Sequence, residues 1–243
     1  MAHFSRGTAT LRYETYGRGF PVLLFAPGGM RSAVEFWQRS PWNPIAELSS
    51  SFRVIAMDQR NAGESYAPVT ARDGWADYTE DHVALLDHLG IDRCHVLGGC
   101  IGGAYCLGLI ARAPERVAAA VLQQPIGHAG DNRHAFFEMF DGWARDLAPS
   151  RPEVSEDDWR AFRDRMYGGD FVFNVTREAV AAMTTPMLVL MGSDLYHPES
   201  TSREIVRLAR NATLVERWKD AESIPATVAT VRDFLARHTP QAR

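Results

Sequence analysis

A glycine-rich hexapeptide near the middle of the chain most limits the folds open to it. Gly98-Gly99-Cys100-Ile101-Gly102-Gly103 follows the apolar residues 94–97 and leads directly into the helical pattern of residues 101–113. A strand that becomes a helix this abruptly needs a sharp, strained turn, and a Cβ at Gly98 or Gly102 would collide with the neighbouring strand or helix. We therefore expect Cys100 on a tight strand-to-helix turn, with its side chain above the carboxyl edge of a sheet.

Short apolar runs alternate with longer segments of helical period along the rest of the chain. This alternation predicts an α/β protein with a mainly parallel central sheet flanked by helices. The predicted strands are residues 8–16 (an edge strand), 21–26, 52–57, 94–98, 117–123, 187–191 and 212–217, and the predicted helices are residues 75–89, 101–113, 199–209 and 226–237.

An aromatic and charged stretch at residues 128–183 interrupts this alternation. We interpret it as a helical lid inserted after the sixth strand of the fold. With 243 residues, 46% of them hydrophobic, the chain can form one sizeable core. The expectation is a single domain, residues 1–243, with a core of about 1–127 and 184–243 and a lid of about 128–183.

Composition argues against several classes of partner. The net charge of −4 comes from intermixed acids and bases, so no basic stripe indicates nucleic acid or a membrane surface. The chain has three cysteines, an odd number, and begins without an apolar leader, which favours a reducing, cytoplasmic location. We expect a small-molecule substrate and no cofactor or metal; a homodimer is compatible with the sequence.

Cys100 is the candidate nucleophile. Its thiolate would gain from the partial positive charge at the N-terminus of the following helix, which lowers the pKa of a thiol. The alternative is that Cys100 is a small buried residue that only fills space, as many free cysteines do. A packing cysteine would not need glycines on both sides, so the hexapeptide favours the nucleophile.

Three further motifs resemble those of the α/β-hydrolase superfamily and occur in the order in which that superfamily carries them. They are Ala26-Pro27-Gly28-Gly29-Met30, Asp58-Gln59-Arg60-Asn61-Ala62-Gly63-Glu64-Ser65 and Gly192-Ser193-Asp194-Leu195-Tyr196-His197-Pro198, and the likeness covers nearly the whole chain. The resemblance implies an oxyanion hole built from the amide of Ile101 and that of Gly29 or Met30. It also implies that Asp194 orients a catalytic histidine.

The sequence departs from this family at the catalytic base. Relatives carry the catalytic histidine in the loop after the last strand, and here that loop, residues 216–225, contains none. His197, three residues beyond Asp194, is the first candidate to replace it; His128, where the lid begins, is the alternative, and His134 in the lid is a third. The other histidines lie near the termini, on the first long helix or at the far end of the strand before Cys100: His3, His82, His88, His95 and His238.

These residues lead to three hypotheses about function. The first is a cysteine-dependent hydrolase or acyl-transfer enzyme that acts on a small, fairly apolar ester, lactone or thioester through an acyl-thioenzyme. The second is a lyase, isomerase or cyclase that uses the same pocket without an acyl-enzyme. The third is a ligand-binding homologue that has lost catalysis.

Overall fold

The structure is a computed structural model that describes residues 1–241. Its strands are β1 Ala2–Arg6, β2 Ala9–Tyr16, β3 Pro21–Phe25, β4 Arg53–Met57, β5 Cys94–Gly99, β6 Val117–Gln123, β7 Met187–Leu190 and β8 Ala212–Val215. Its helices are α1 Pro44–Leu48, α2 Trp75–His88, α3 Ile101–Arg112, α4 Arg133–Leu147, α5 Glu156–Tyr167, α6 Arg177–Ala182, α7 Glu199–Leu208 and α8 Ile224–Arg237. Short 3-10 helices occupy Gly29–Arg31, Val34–Arg39, Pro114–Arg116 and Ala148–Ser150.

All eight strands form one sheet in the order β1-β2-β4-β3-β5-β6-β7-β8. The pairs from β4 to β8 are parallel, and the two pairs that involve β2 are antiparallel. The predicted α/β class with a mainly parallel sheet is therefore confirmed. None of the helices in residues 1–241 has the length and apolar character to cross a membrane.

The prediction that residues 8–16 form the edge strand is wrong. β2 pairs with β4 on one side and with β1 on the other, so β1 is the edge. The β1–β2 hairpin closes at Gly7, whose φ of 59° lies in the left-handed region that glycine adopts easily.

Both faces of the parallel strands β3 to β7 are buried, which explains why their sequences are mostly continuous apolar runs. In β3, Leu23 and Phe25 pack into the core on one side of the sheet, which includes α2, α3 and the 128–183 segment. Val22 and Leu24 pack into the core on the other side, with α8. The sheet is thus covered on both sides, and its carboxyl edge is left free for loops.

The segment between β6 and β7 contains α4, α5 and α6, as its helical interpretation predicted. Its aromatic residues pack on one another: the ring centroid of Phe140 lies 5.2 Å from that of Trp143 and 5.2 Å from that of Phe162. Residues of α4 also contact the 3-10 turn Gly29–Arg31 that follows β3. The segment therefore lies against the carboxyl edge of the sheet; that it acts as a lid stays a prediction.

Candidate active site

Cys100 lies at the turn between β5 and α3, with φ 58° and ψ −118°. A positive φ is strained for a residue with a side chain, and such strain is concentrated at functional positions. The turn is closely packed: a Cβ at Gly98 would lie 2.0 Å from the carbonyl oxygen of Gly102, and one at Gly102 would lie 2.2 Å from that of Phe25. Glycine at both positions is what permits the turn.

The partly buried Cys100 side chain lies in the wall of a cavity of about 230 Å³. That volume corresponds to the share of about eight waters in liquid, which fits a small ligand. The wall is almost entirely apolar and combines residues from the turn after β3, the turn between β5 and α3, the 128–183 segment and the loop after β7. They are Gly28, Gly29, Cys100, Ile101, Ile126, Phe136, Met139, Tyr167, Tyr196 and His197.

The loop after β7 holds the side chain of His197 in one orientation. Its Nδ1 lies 2.7 Å and 2.9 Å from the two carboxylate oxygens of Asp194. The backbone N–H groups of Tyr196 and His197 donate to Asp194 Oδ1 at 3.0 Å and 3.1 Å. Because a carboxylate accepts, Nδ1 carries the proton and Nε2 is the ring nitrogen available to another group.

Nε2 of His197 is buried and has no hydrogen bond of standard geometry within residues 1–241. The neighbouring thiol of Cys100 interacts with the ring strongly enough to change the pKa of both groups. Burial opposes the charged imidazolium, but the charge of Cys100 and the hydrogen bond to Asp194 outweigh it and raise the pKa of His197 to about 9. The hydrogen bond from His197 in turn holds the pKa of Asp194 below its ordinary value.

The pKa of the Cys100 thiol lies below its ordinary value for related reasons. Burial raises it, but the charge of His197 and, with smaller effects, the nearby His197 ring and the backbone of Gly28 and Ile101 together lower it further than burial raises it. A lowered thiol pKa beside a raised imidazole pKa favours a thiolate–imidazolium pair at neutral pH.

The oxyanion hole predicted from the amide of Ile101 and that of Gly29 or Met30 stays a prediction. Ile101 lies in the cavity wall with Cys100. Gly29 lines the cavity, whereas Met30 is buried in the core and is not part of the cavity wall.

Buried polar contacts hold the turn that carries Gly28 in place. The hydroxyl of Ser32 donates to the carbonyl of Ala26 at 2.6 Å, which closes the turn on itself. The amide of Val34 donates to the fully buried carboxylate of Asp58 at 2.8 Å. Asp58 thus acts as an anchor for this turn, and it lies outside the group formed by Cys100 and His197.

The other candidate bases lie apart from the cavity wall. Nδ1 of His128 is 3.0 Å from Asp170 Oδ1, and Nδ1 of His134 is 2.6 Å from the carbonyl oxygen of Asp131. Neither residue is among those that line the cavity. The structure therefore brings Cys100, His197 and Asp194 together and does not bring His128 or His134 to them. Within residues 1–241, no group of three or more His, Cys, Asp or Glu side chains could hold a metal ion.

Comparison with known proteins identifies the family to which this fold and turn belong. Residues 21–166, more than half of the chain, match the family described as the alpha/beta hydrolase fold. The chain belongs to the α/β-hydrolase family.

Three similar proteins illustrate the range of this α/β-hydrolase's relatives. A protein of Azorhizobium caulinodans provisionally named carbamate hydrolase RutD is 33% identical over 154 residues, which cover 63% of this chain and 54% of that protein. The carboxylesterase YbfK of Bacillus subtilis is 27% identical over 204 residues, covering 74% and 66%. The solved structure of the enol-lactonase from Burkholderia xenovorans LB400 aligns with a TM-score of 0.72 at 20% identity, covering 97% of this chain and 100% of that one. The chain spans about half the length of the curated relatives that it matches.

In this α/β-hydrolase the loop after β8, residues 216–225, is tied to β7 by an indole. Trp218 is buried, and its Nε1–H donates to the carbonyl of Met191 at 2.8 Å. The hydroxyl of Thr227 donates to the carbonyl of Trp218 at 3.1 Å, which attaches the same loop to α8. The loop in which the family resemblance implies a catalytic histidine therefore holds a buried, hydrogen-bonded tryptophan instead.

Proposed function

We propose that this protein is a cysteine-dependent hydrolase that cleaves small, fairly apolar esters, lactones or thioesters through an acyl-thioenzyme. The observation that carries the proposal is the Cys100–His197–Asp194 arrangement at the wall of a small apolar cavity. The names of the relatives, a carbamate hydrolase, a carboxylesterase and an enol-lactonase, support hydrolysis at an acyl carbon.

The first half-reaction starts from the ion pair. The Cys100 thiolate attacks the substrate carbonyl carbon, an S–C bond forms, and the carbonyl π electrons move to the oxygen. The amide of Ile101 and that of Gly29 or Met30 donate to that oxyanion, and one such donor contributes about 3 kcal/mol to transition-state stabilisation. When the intermediate collapses, the C–O or C–S bond breaks and the leaving group takes the proton from His197 Nε2.

The second half-reaction uses His197 as a base. The ring is now neutral and accepts a proton from water, whose oxygen attacks the thioester carbonyl. Collapse of this intermediate releases the carboxylic acid and restores the thiolate and the imidazolium. Asp194 keeps the proton on Nδ1 throughout, so that Nε2 always faces the reacting atoms.

The deciding experiment is hydrolysis of p-nitrophenyl acetate, followed in both the burst and the steady state. We expect a burst of p-nitrophenolate for the wild type, no burst for Cys100→Ala, and a burst slowed by a factor of about 10²–10⁴ for His197→Ala, which lacks its acid–base group. Mass spectrometry of the quenched wild type should find one acetyl group on Cys100.

Cys106→Ala is the matched control, because Cys106 is a free, buried cysteine of α3 that does not line the cavity. Its burst should equal that of the wild type. Turnover that does not depend on Cys100, or no turnover of activated esters at all, would contradict the proposal and favour a non-hydrolytic enzyme or a ligand-binding protein.

A further inference from the structure

Asn132, the residue before α4, is a buried amide that joins the loop after β7 to the start of the 128–183 segment. Its Oδ1 accepts from the N–H of Ala129 at 3.0 Å. Its Nδ2 donates to the carbonyl of Gly127 at 3.0 Å and to that of Leu195 at 2.8 Å. Each of the two N–H groups of the amide thus has an acceptor. Asn132 is 2% exposed, so bulk water does not compete for these contacts.

The carbonyl of Leu195 belongs to the short stretch of chain that carries the proposed acid and base. The hydrogen bonds between Asp194 and His197 close this stretch on itself, so they set its shape but not its position relative to Cys100. The side chain of Leu195 is 51% exposed, so it adds little packing. The amide of Asn132 therefore ties the middle of this stretch to another part of the chain.

The same contact places α4 relative to the base. α4 begins at the next residue and carries Phe136 and Met139, which form one part of the cavity wall, whereas Tyr196 and His197 form another part. The two parts touch where the ring of Phe136 meets that of Tyr196 edge-on, at a centroid distance of 5.3 Å. The N–H of Gly127 adds a longer contact of 3.3 Å with the carbonyl of Tyr196. The amide thus lies where the positions of α4 and of the base are set together.

Capping of α4 does not account for this side chain. Asn132 stands at the N-cap position, where an asparagine commonly accepts from the first N–H groups of the helix. Here its oxygen accepts instead from Ala129, three residues earlier, and makes no capping bond to α4. The amide faces two carbonyls and one N–H. A leucine of the same shape has no polar atom and an ionised aspartate has no N–H, so neither could replace its contacts.

We propose that Asn132 is a positioning residue that holds the 192–198 loop so that His197 stays beside Cys100. It does not line the cavity, so it touches neither the substrate nor the reacting atoms and acts through the histidine. The inference rests on the proposed function, since it takes these two side chains as the reacting pair. Its test follows the thiol and not the ester, so that either proposal can fail without the other.

Asn132→Leu in the full chain removes the N–H groups and keeps the shape of the side chain. The carbonyl of Leu195 then loses its buried donor, the loop moves toward water, and the ring of His197 leaves Cys100. The rate at which iodoacetamide alkylates Cys100, followed from pH 5 to 10 by mass spectrometry of its peptide, reports the thiolate. Among the groups that lower this thiol pKa, His197 has the largest effect. The half-maximal rate should therefore move to higher pH by about one unit.

The His197→Ala background separates an effect through the histidine from a general one. There Asn132→Leu should cause no further shift, because the group that Asn132 positions is absent. Asn174→Leu is the matched control: its Nδ2 donates to the carbonyl of Ala104 at 2.6 Å, in another part of the 128–183 segment, and it does not line the cavity. Its alkylation profile should equal that of the wild type.

Thermal unfolding of the same variants separates a positioning role from a structural one. A lowered Tm of Asn132→Leu together with a wild-type alkylation profile would overturn the inference, and so would an equal shift in the His197→Ala background. Asn132→Ala repeats the test with a smaller side chain; if neither variant folds, the residue serves folding and the inference fails. Ester turnover that does not depend on Cys100 would contradict the proposed function and leave the alkylation result unaffected.

Discussion

The reactivity of Cys100 depends on one neighbour more than on the turn that carries it. Burial alone would make this thiol less acidic, and among the groups that lower its pKa the charge of His197 has the largest effect. The thiolate should therefore exist at neutral pH only while the imidazolium is present. Two substitutions separate these contributions.

We expect His197→Ala to raise the pKa of the Cys100 thiol above its ordinary value. The charge of His197 then no longer lowers the thiol pKa, while burial still raises it. The thiolate fraction at pH 7 therefore falls. The rate of alkylation by iodoacetamide, measured from pH 5 to 10, reports the thiolate. The wild-type rate should reach half its maximum below the ordinary thiol pKa, and that of the variant above it; identical profiles would show that the ion pair does not form.

Asp194→Asn should lower the pKa of His197 from about 9, because it removes the carboxylate charge and weakens the hydrogen bond to Nδ1. In the wild type the imidazolium is present below that value and is lost as the pH rises through it. In the variant this loss occurs at lower pH, which NMR titration of ¹³C-labelled histidine can follow. We expect kcat/KM for activated esters to fall about 10²-fold or more, since the ring also loses its fixed orientation. An unchanged titration would mean that Asp194 does not orient the ring.

Among the elements, those with a strong period or a distinctive turn could be predicted from the sequence. The period of residues 75–89 predicted a helix, and α2 spans Trp75–His88. The glycines around Cys100 predicted the abrupt turn between β5 and α3. β1 was missed because Ala2–Arg6 mixes polar and apolar residues without a clear pattern, and its only signal was the hairpin glycine, Gly7.

Contacts made through tertiary packing could not be predicted in the same way. The motifs nominated Cys100, Asp194 and His197, and the structure places these three side chains together. The sequence gives no local sign that Tyr167, at the end of α5, lines the same cavity as Cys100, which lies almost seventy positions earlier in the chain.

The turn between β5 and α3 also gives a prediction about stability. Gly98→Ala places a Cβ 2.0 Å from the carbonyl oxygen of Gly102 and should destabilise the protein by about 3 kcal/mol. Gly142→Ala is the control: its Cβ in α4 would lie 3.8 Å from the nearest atom, a side-chain nitrogen of Arg145, and should stabilise the helix by about 0.5–1 kcal/mol. Urea unfolding of both variants measures the difference, and a mild effect of Gly98→Ala would show that the turn can relax.

At the scale of the whole molecule, a buried carboxylate joins three separate parts of the chain. Asp81 in α2 accepts from Arg6 of β1 at 2.6 Å and from Arg60, in the turn after β4, at 2.7 Å and 3.1 Å. The side chains of Asp81 and Arg60 are 1% and 7% exposed. Solvent therefore screens this pair very little, and loss of one partner leaves a buried charge.

Asp81→Asn should lower the free energy of unfolding by about 3 kcal/mol, because Arg60 stays buried without its counter-charge. Asp157→Asn is the matched control, since Asp157 is 87% exposed in its contact with Arg160 and should contribute less than about 0.5 kcal/mol. Chemical denaturation at constant pH compares the two. Equal effects would mean that Arg60 finds another partner, such as Asp73, whose carboxylate is 3.9 Å away.

The loop after β7 places acid and base within one short, contiguous piece of chain, Asp194 and His197, closed by the mutual backbone hydrogen bonds of these two residues at 3.2 Å. If Asp194 and His197 are the acid and the base, as proposed, they are inherited together. A single recombination event can transfer both residues, and a single deletion can remove both. The segment after β8 then contributes no catalytic residue. Its sequence can then vary as far as the packing of Trp218 permits, and a search for proteins with the same proposed mechanism should use the 192–198 loop as its marker.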